Sequence, residues 1–250
     1  MITKQALSSL NHVDSAQIRN SAYAQKVRSG RILGACLALV AGYLDGYGLL
    51  VLGTYVSFMS GNSTLAGVHS GQAKFSLAIP SVLAILSFVI GSIFGNAVTS
   101  KVHNHSHRIL FGLIGIMIGG VVLLHPHHSY HDYSAIMILS IAMGMLNPAL
   151  SKVGAEAVSL TFMTGTLSRI GGHLYSALAQ EPLKDAQSNT DSHWARALID
   201  GSIWFGFLLG AGLSGMLIHR LEEYALVPPC FALLLLAFLS HSDTPAGVAQ

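Results

Sequence analysis

Charge is what this chain has least of. Only 10% of its 250 residues are Asp, Glu, Lys or Arg, against about a quarter in ordinary soluble domains. Hydrophobic residues make up 52%. That balance excludes a soluble globular domain and is the composition of an integral membrane protein. The formal net charge of +2 lacks the concentrated basic surface of a nucleic-acid binder, so no nucleic-acid partner is expected. Cysteine is nearly absent. Cys36 and Cys230 lie far apart in apolar runs without the paired spacing of a metal or redox motif, which leaves them as packing residues. Also missing are a nucleophile elbow, a glycine-rich phosphate loop and a His-Glu zinc motif, so neither an enzyme nor a cofactor is expected. A triad assembled in space from Ser57 or Ser60 and a distant histidine would leave no such linear trace.

No signal-type apolar stretch precedes Arg31, and nothing at the N-terminus reads as cleaved. Residues 1–30 are polar, and the weak helical periodicity over residues 8–27 favours a polar tail over a surface helix. The domain reading is therefore a tail over 1–30, a first membrane repeat over 31–125, a second over 126–240 and a short tail over 241–250.

The chain does carry a repeated motif. Ser57-Phe58-Met59-Ser60-Gly61-Asn62 in the first half matches Thr161-Phe162-Met163-Thr164-Gly165-Thr166 in the second, both inside apolar sequence. Gly67 and Gly171 follow at equal distance, and Asp45 or Asn147 precedes each copy. The run after each copy also has small residues one helical turn apart, Gly91-x-x-x-Gly95 and Gly206-x-x-x-Gly210. Such spacing lets helices approach closely in lipid, and its matching placement supports a duplication.

A membrane span needs about 20 mainly apolar residues. The candidates are residues 32–55, 77–99, 109–124, 133–150, 198–218 and 226–239, the third and last somewhat short. Lys and Arg accumulate in short cytoplasmic loops. An inside N-terminus puts Lys4, Arg19, Lys26, Arg28 and Arg31, then Lys101 and Arg108, then Lys184 and Arg196 on the cytoplasmic face, leaving mainly Lys74 and Arg220 opposite. Three spans per half then make the second half inverted. The expected fold is an all-α polytopic membrane helix bundle of about six transmembrane helices, in two inverted three-helix repeats with short broken helices.

Asp45 is the sharpest single residue, an ionisable carboxylate inside an apolar run. It reads either as a proton or cation site, or a ligand for a polar substrate group, or as a cap on a helix break made by Gly46 and Gly48. Ser60-Gly61 and Thr164-Gly165 pair an N-capping hydroxyl with a glycine that permits unusual backbone angles, so each could start a half-helix whose amide end faces a solute. Thr161 and Asn62 add donors and acceptors. The alternative is that these hydroxyls bond back to their own helices. Pro148 removes a backbone donor and breaks the helix at Asn147. Lys152 and Glu156, four apart, read as a helical ion pair, with Arg169 nearby, and Glu156 is an outside candidate for the coupling carboxylate. Histidines crowd two loops, His103, His105 and His107, then His125, His127, His128 and His131. Without cysteines or an enclosing carboxylate shell they read as solvated rather than as metal ligands.

The segments Gly42-Tyr43-Leu44-Asp45, Phe58-Met59-Ser60-Gly61-Asn62, Gly144-Met145-Leu146-Asn147 and Thr161-Phe162-Met163-Thr164-Gly165-Thr166-Leu167 together resemble the YoaK-like family of bacterial inner-membrane proteins, from about residue 31 to 239. The resemblance implies a six-helix membrane protein rather than a reaction. It also implies Asp45, Gly61, Asn62, Asn147, Thr164 and Gly165 as functional positions. Ser60 stands where that family commonly has threonine, and Pro148 where a small residue is usual. The functional expectation is a transporter or permease for a small solute or ion in the bacterial inner membrane, with both termini cytoplasmic and proton coupling through Asp45. A non-transporting scaffold or sensor is the alternative. The expected partners are the lipid bilayer and that solute, with a homo-oligomer compatible.

Overall fold

The computed structural model of the protein describes residues 4–102, 105–124 and 132–240. Helix α1 (Lys4–Tyr47) ends in a wider turn, Gly48–Leu52, closed by Gly53 at φ 70°, a left-handed angle that suits glycine. Then follow α2 (Met59–Gly71), α3 (Phe75–Lys101), α4 (Ser106–Leu124) and α5 (Tyr133–Leu146). After a single 3₁₀ turn at Asn147–Ala149 comes a minimal hairpin, β1 (Lys152–Val153) with β2 (Glu156–Ala157). The chain closes with α6 (Met163–Leu178), α7 (His193–Leu221), a 3₁₀ turn at Glu222–Tyr224 and α8 (Val227–Leu239).

Apart from the hairpin, the architecture is the expected helix bundle. Four helical stretches are long and apolar enough to cross a membrane: Asn20–Leu52, Phe75–Lys101, Ser106–Leu124 and His193–Tyr224. Two shorter apolar helices, Tyr133–Ala149 and Val227–Leu239, accompany them. Side chains are arranged with small residues inward. Helix α3 buries Ala84, Ser87, Gly91 and Gly95 and turns Leu86, Val89, Ile93 and Phe94 outward, the pattern of a helix that packs through small residues and meets lipid with large ones.

The glycine pairs make the closest contacts. Gly206 and Gly210 of α7 lie against the backbone carbonyls of Ala35 and Leu39 in α1. Residue numbers rise together along this seam, so α1 and α7 run parallel. Gly91 and Gly95 of α3 meet Ile141 and Met145 of α5 in the same parallel sense. Helices α4 and α8 are antiparallel, with Gly115 beside Leu234 and Gly112 beside Ala237. Helices α2 and α6 each pack on the helix that follows, α3 and α7. The first long helix of each half therefore packs on the second long helix of the other.

Two expectations change. The segment read as a polar tail is helical from Lys4 and continuous with the apolar part of α1. Its support is long-range rather than periodic: Tyr23 and Val27 close on Gly154, and Gly30 on Val153, so the hairpin braces this extension. Lys152 and Glu156 lie on that hairpin, not on a helix; Lys152 pairs with Ala157 and Val153 with Glu156. Val153 and Glu156 turn inward while Lys152 stays exposed, so no helical ion pair joins them. His103, the histidines at 125, 127, 128 and 131, and the tail 241–250 lie outside the described residues.

Candidate functional site

In both halves a phenylalanine folds over a glycine where a short helix begins. Helix α2 starts at Met59 and α6 at Met163, as the repeated motif predicts, but the capping residues are Phe58 and Phe162, without a side-chain cap bond. A Cβ on Gly61 or Gly165 would strike the ring of Phe58 or Phe162. The glycine is thus required by close approach, not by an unusual backbone angle. Ser60 and Thr164, expected as caps, are exposed on the first turn. Other motif hydroxyls do bond back along their helices: Ser63 to the Met59 carbonyl at 2.8 Å, Thr64 to Ser60 at 3.0 Å and Thr166 to Phe162 at 3.1 Å.

The start of α2 is held instead by Asp45. Its Oδ1 accepts the backbone N–H groups of Val56 (3.0 Å), Ser57 (2.7 Å) and Phe58 (3.3 Å), and its Oδ2 accepts the Ser57 hydroxyl at 2.6 Å. A buried carboxylate is thereby satisfied without a cation, and the orphan amides before a helix find an acceptor. Asn62, fully buried, completes the clip. Its amide donates to the Tyr55 carbonyl at 2.7 Å while its Oδ1 accepts from the Thr54 hydroxyl at 3.0 Å and the Tyr55 N–H at 3.3 Å.

The corresponding place in the second half is built differently. Helix α5 ends at Leu146 before Pro148, and Asn147 meets Thr161 only at 3.5 Å, the outer limit of a hydrogen bond. The polar work there is done by charges that converge from four elements. Arg169 of α6 makes a bidentate pair with Asp200 of α7, both contacts at 3.0 Å, and approaches Glu156 of β2 at 3.5 Å. His173 sits 3.2 Å from Glu156 and, by its other ring nitrogen, 3.0 Å from His193. Arg196 grips Asp191 at 3.0 and 3.1 Å and Asp185 at 3.0 Å, and comes within 3.9 Å of Glu156. Tyr23 of α1 donates to Asp191 at 3.4 Å.

Electrostatics at the rim follow from these partners. The Arg196 hydrogen bond holds the exposed Asp185 carboxyl below the usual carboxylate range. For Asp191, burial works toward a higher value, but the Arg196 bonds and the Gln187 amide outweigh it and leave the carboxyl lowered. Deeper in, Asp200 is fully buried and Glu156 is 5% exposed. These two carboxylates share one close guanidinium, that of Arg169.

Glu156, His173 and Asp200 offer three ligand atoms within 4.8 Å of one another, enough to hold a metal ion by spacing. The Arg169 guanidinium already lies between Glu156 and Asp200, so a metal would have to displace it. Beside the network opens a cavity of about 230 Å³, lined by Tyr23, Val27, Arg28 and Arg31 of α1, by Glu156, and by Asp191 and Arg196. Of the eight residues predicted to line a polar pocket, Asp45 and Asn62 join through segment 54–58 and Asn147 touches Thr161. Ser60, Gly61, Thr164 and Gly165 remain on the two separate motif helices, and none of the eight lines this cavity.

Such buried polar nodes at helix breaks belong to a membrane protein, and comparison places the chain among its relatives. The family model described as "Protein of unknown function (DUF1275)" matches residues 33–239. The chain belongs to the DUF1275 family. Curated relatives are "UPF0700 transmembrane protein RA0705" of Rhizobium meliloti (strain 1021), 28% identical over 83% of this chain and 84% of that one, and "UPF0700 transmembrane protein YoaK" of Bacillus subtilis (strain 168), 28% identical over 54% and 62%. No solved structure matches. The resemblance to the YoaK-like family drawn from the motifs is thus the correct one, and the DUF1275 match spans both motif helices and the charged network alike.

Sequence reasoning missed most of that network. His173, Arg196 and Asp200 are not candidates on sequence, while Glu156 is an outside candidate for coupling whose partner there is Lys152, with Arg169 only nearby. Asp200 carried a usable signal, since it is an ionisable residue inside an apolar run just as Asp45 is.

Proposed function

We propose that this DUF1275 protein is a six-span transporter of a small solute in the bacterial inner membrane, non-enzymatic, with both termini cytoplasmic. The observation that carries the reading is the cavity beside the Glu156–Arg169–Asp200 network, a chamber at the parallel seam of α1 with α7 whose largely apolar wall carries Arg28, Arg31, Glu156, Asp191 and Arg196. Several features support an inverted repeat. If α1, α3 and α4 correspond to α5, α7 and α8, the parallel pairs α1 with α7 and α3 with α5 exchange under a two-fold axis in the membrane plane, and the antiparallel pair α4 with α8 maps onto itself. The short helices α5 and α8 then count as tilted or locally thinned spans. The Lys and Arg distribution favours an inside N-terminus.

Within this reading coupling falls to Glu156 rather than Asp45. Asp45 has four donors and anchors α2. Glu156 has longer contacts, at 3.2, 3.5 and 3.9 Å, and is free to trade them. A proton on Glu156 brings the trio of Glu156, Asp200 and Arg169 to neutrality, and His173 with His193 continues the path outward. The partners are the lipid bilayer and a small solute or ion.

The test is labelling by a membrane-impermeant thiol reagent in a background lacking Cys36 and Cys230. Single cysteines at Ala195, in the cavity wall, and at His173 of the network and Asn147 at the end of α5 are expected to react, Ala195 from the cytoplasmic face. Reaction at Ala195 with protection of both others would sink the transporter reading and leave a scaffold or sensor.

A further inference from the structure

Arg28, exposed, and Arg31, half-buried, face the cavity without a partner among the described residues. Every other charged group in its wall is engaged: Arg196 by Asp185 and Asp191, Glu156 by His173 and Arg169, and Asp191 by Arg196 and Tyr23. Neither Arg28 nor Arg31 has a hydrogen bond or ion pair among the described residues. They stand one turn apart on the α1 face that also carries Tyr23, Ala24 and Val27 into the cavity. Two like charges so placed repel unless an anion lies between them.

A second hollow, about 440 Å³, shares Tyr23 and Ala155 with the first and adds Lys26 and Lys152, also without partners among the described residues. Across the two hollows Lys26, Arg28, Arg31, Lys152 and Arg196 face only Glu156, Asp185 and Asp191. That leaves two positive charges over. Guanidinium forks match the oxygens of phosphate and carboxylate, and outlying lysines raise the local concentration of anions. At about 230 Å³ the inner hollow falls below the roughly 300–1,000 Å³ of drug-sized ligand sites, which restricts it to a small group.

We infer that the cavity between α1, the hairpin and the start of α7 is a binding site for a small oxyanion, a phosphate or carboxylate group held by Arg28 and Arg31. The inference rests on the transporter reading only for what the anion is doing there; binding itself stands apart. A plain topological explanation exists, since Lys and Arg flank cytoplasmic helix ends in any membrane protein. It accounts for Arg28 and Arg31 being basic but not for their lining one half-open hollow with the local carboxylates already taken. The same chemistry arrives either on a free solute or on an anionic lipid headgroup.

The experiment uses the full chain in neutral detergent. Thermal melting is followed by the fluorescence of Trp194 and Trp204, with inorganic phosphate or acetate titrated against chloride at equal ionic strength. A parallel series uses nanodiscs of phosphatidylcholine with or without phosphatidylglycerol. The expected result is a saturable rise in melting temperature with phosphate or acetate. Half-saturation should weaken roughly tenfold in Arg28→Gln and again in Arg31→Gln, the loss of one charged hydrogen-bonding partner each. Arg220→Gln should leave it unchanged. Because Arg28 and Arg31 hold no partner among the described residues, both variants should melt like the parent without anion. Stabilisation by phosphatidylglycerol alone, lost in the double variant, keeps the site and assigns it to a headgroup. Absence of any saturable effect beyond chloride, or an effect that survives the double variant, overturns the inference. Saturable binding together with protected His173 and Asn147 cysteines would overturn the transporter reading while keeping the anion site.

Discussion

The two motif helices begin alike and are anchored in opposite ways. At the start of α2 one carboxylate, Asp45, gathers three backbone amides and a hydroxyl, and no cation takes part. In the second half Asn147, which precedes the other motif copy, makes one marginal contact, and the surroundings are tied by Arg169 and Arg196 to carboxylates from the hairpin, α7 and the loop before it. Neutral donors around a charge make a fixed joint, since each bond is directional and none has a substitute nearby. Charges shared among several partners make a joint that can rearrange, because Arg169 or Glu156 loses one contact while gaining another. One motif helix is thus held by a clip and the other by an exchangeable network.

Substitutions can break or sharpen that contrast. The largest effect lies outside both joints. Gly210→Val or Gly91→Val would drive a side chain into the facing backbone carbonyl of Leu39 or Ile141, and no folded protein should survive, as read by gel filtration after detergent extraction. Equal loss at both positions would show that the two seams matter alike. Next comes Asp45→Ala, which strands three amides in a buried place and should cost about 4 kcal/mol in reversible unfolding. Arg169→Gln leaves Asp200 buried with its charge uncompensated and should cost about 3 kcal/mol, less than a closed pair because Arg169 is itself 29% exposed. Asn147→Ala should cost under about 1 kcal/mol. If Asn147→Ala cost as much as Asp45→Ala, the contrast between the halves would be wrong.

The smallest effect is one of pH. Asp185 and Asp191 both have lowered carboxyl values in the folded chain, so the stability they add through Arg196 is complete above the ordinary carboxylate range near about pH 4. It is lost only as pH falls through their lowered values. The Gln187 amide, which donates to Asp191 at 3.1 Å, should therefore keep its hydrogen-exchange protection unchanged from about pH 8 to 5 and lose it below about 4, after correction for intrinsic exchange. Loss of protection near neutrality would point to a histidine in control instead.

Much of this was legible in the chain. Apolar length predicts α3 and α4 closely, the repeated motif predicts where α2 and α6 begin, and Pro148 predicts the end of α5. These are local properties, written in consecutive residues. What was not legible depends on distant partners. The N-terminal helix lacks periodicity of its own and is held by a hairpin more than a hundred residues away. Glu156 seemed a partner for Lys152 because four residues suggest a helix turn, but a two-residue hairpin sends them to opposite sides. The motif hydroxyls of Ser60 and Thr164 suggested caps, yet the carboxylate that caps α2 comes from the preceding long helix.

The parallel seam has a consequence for how the protein is made. Gly42 of α1 finds its neighbour only at Phe207, so the ribosome must add well over a hundred residues before that groove can close. At roughly 5–20 residues per second this is a wait on the order of ten seconds, during which α1 has lipid or the insertion machinery for company. Neither half can mature alone. A truncated chain ending after α4 should be a substrate for membrane quality control rather than a smaller stable protein, and co-expressed halves should rescue each other.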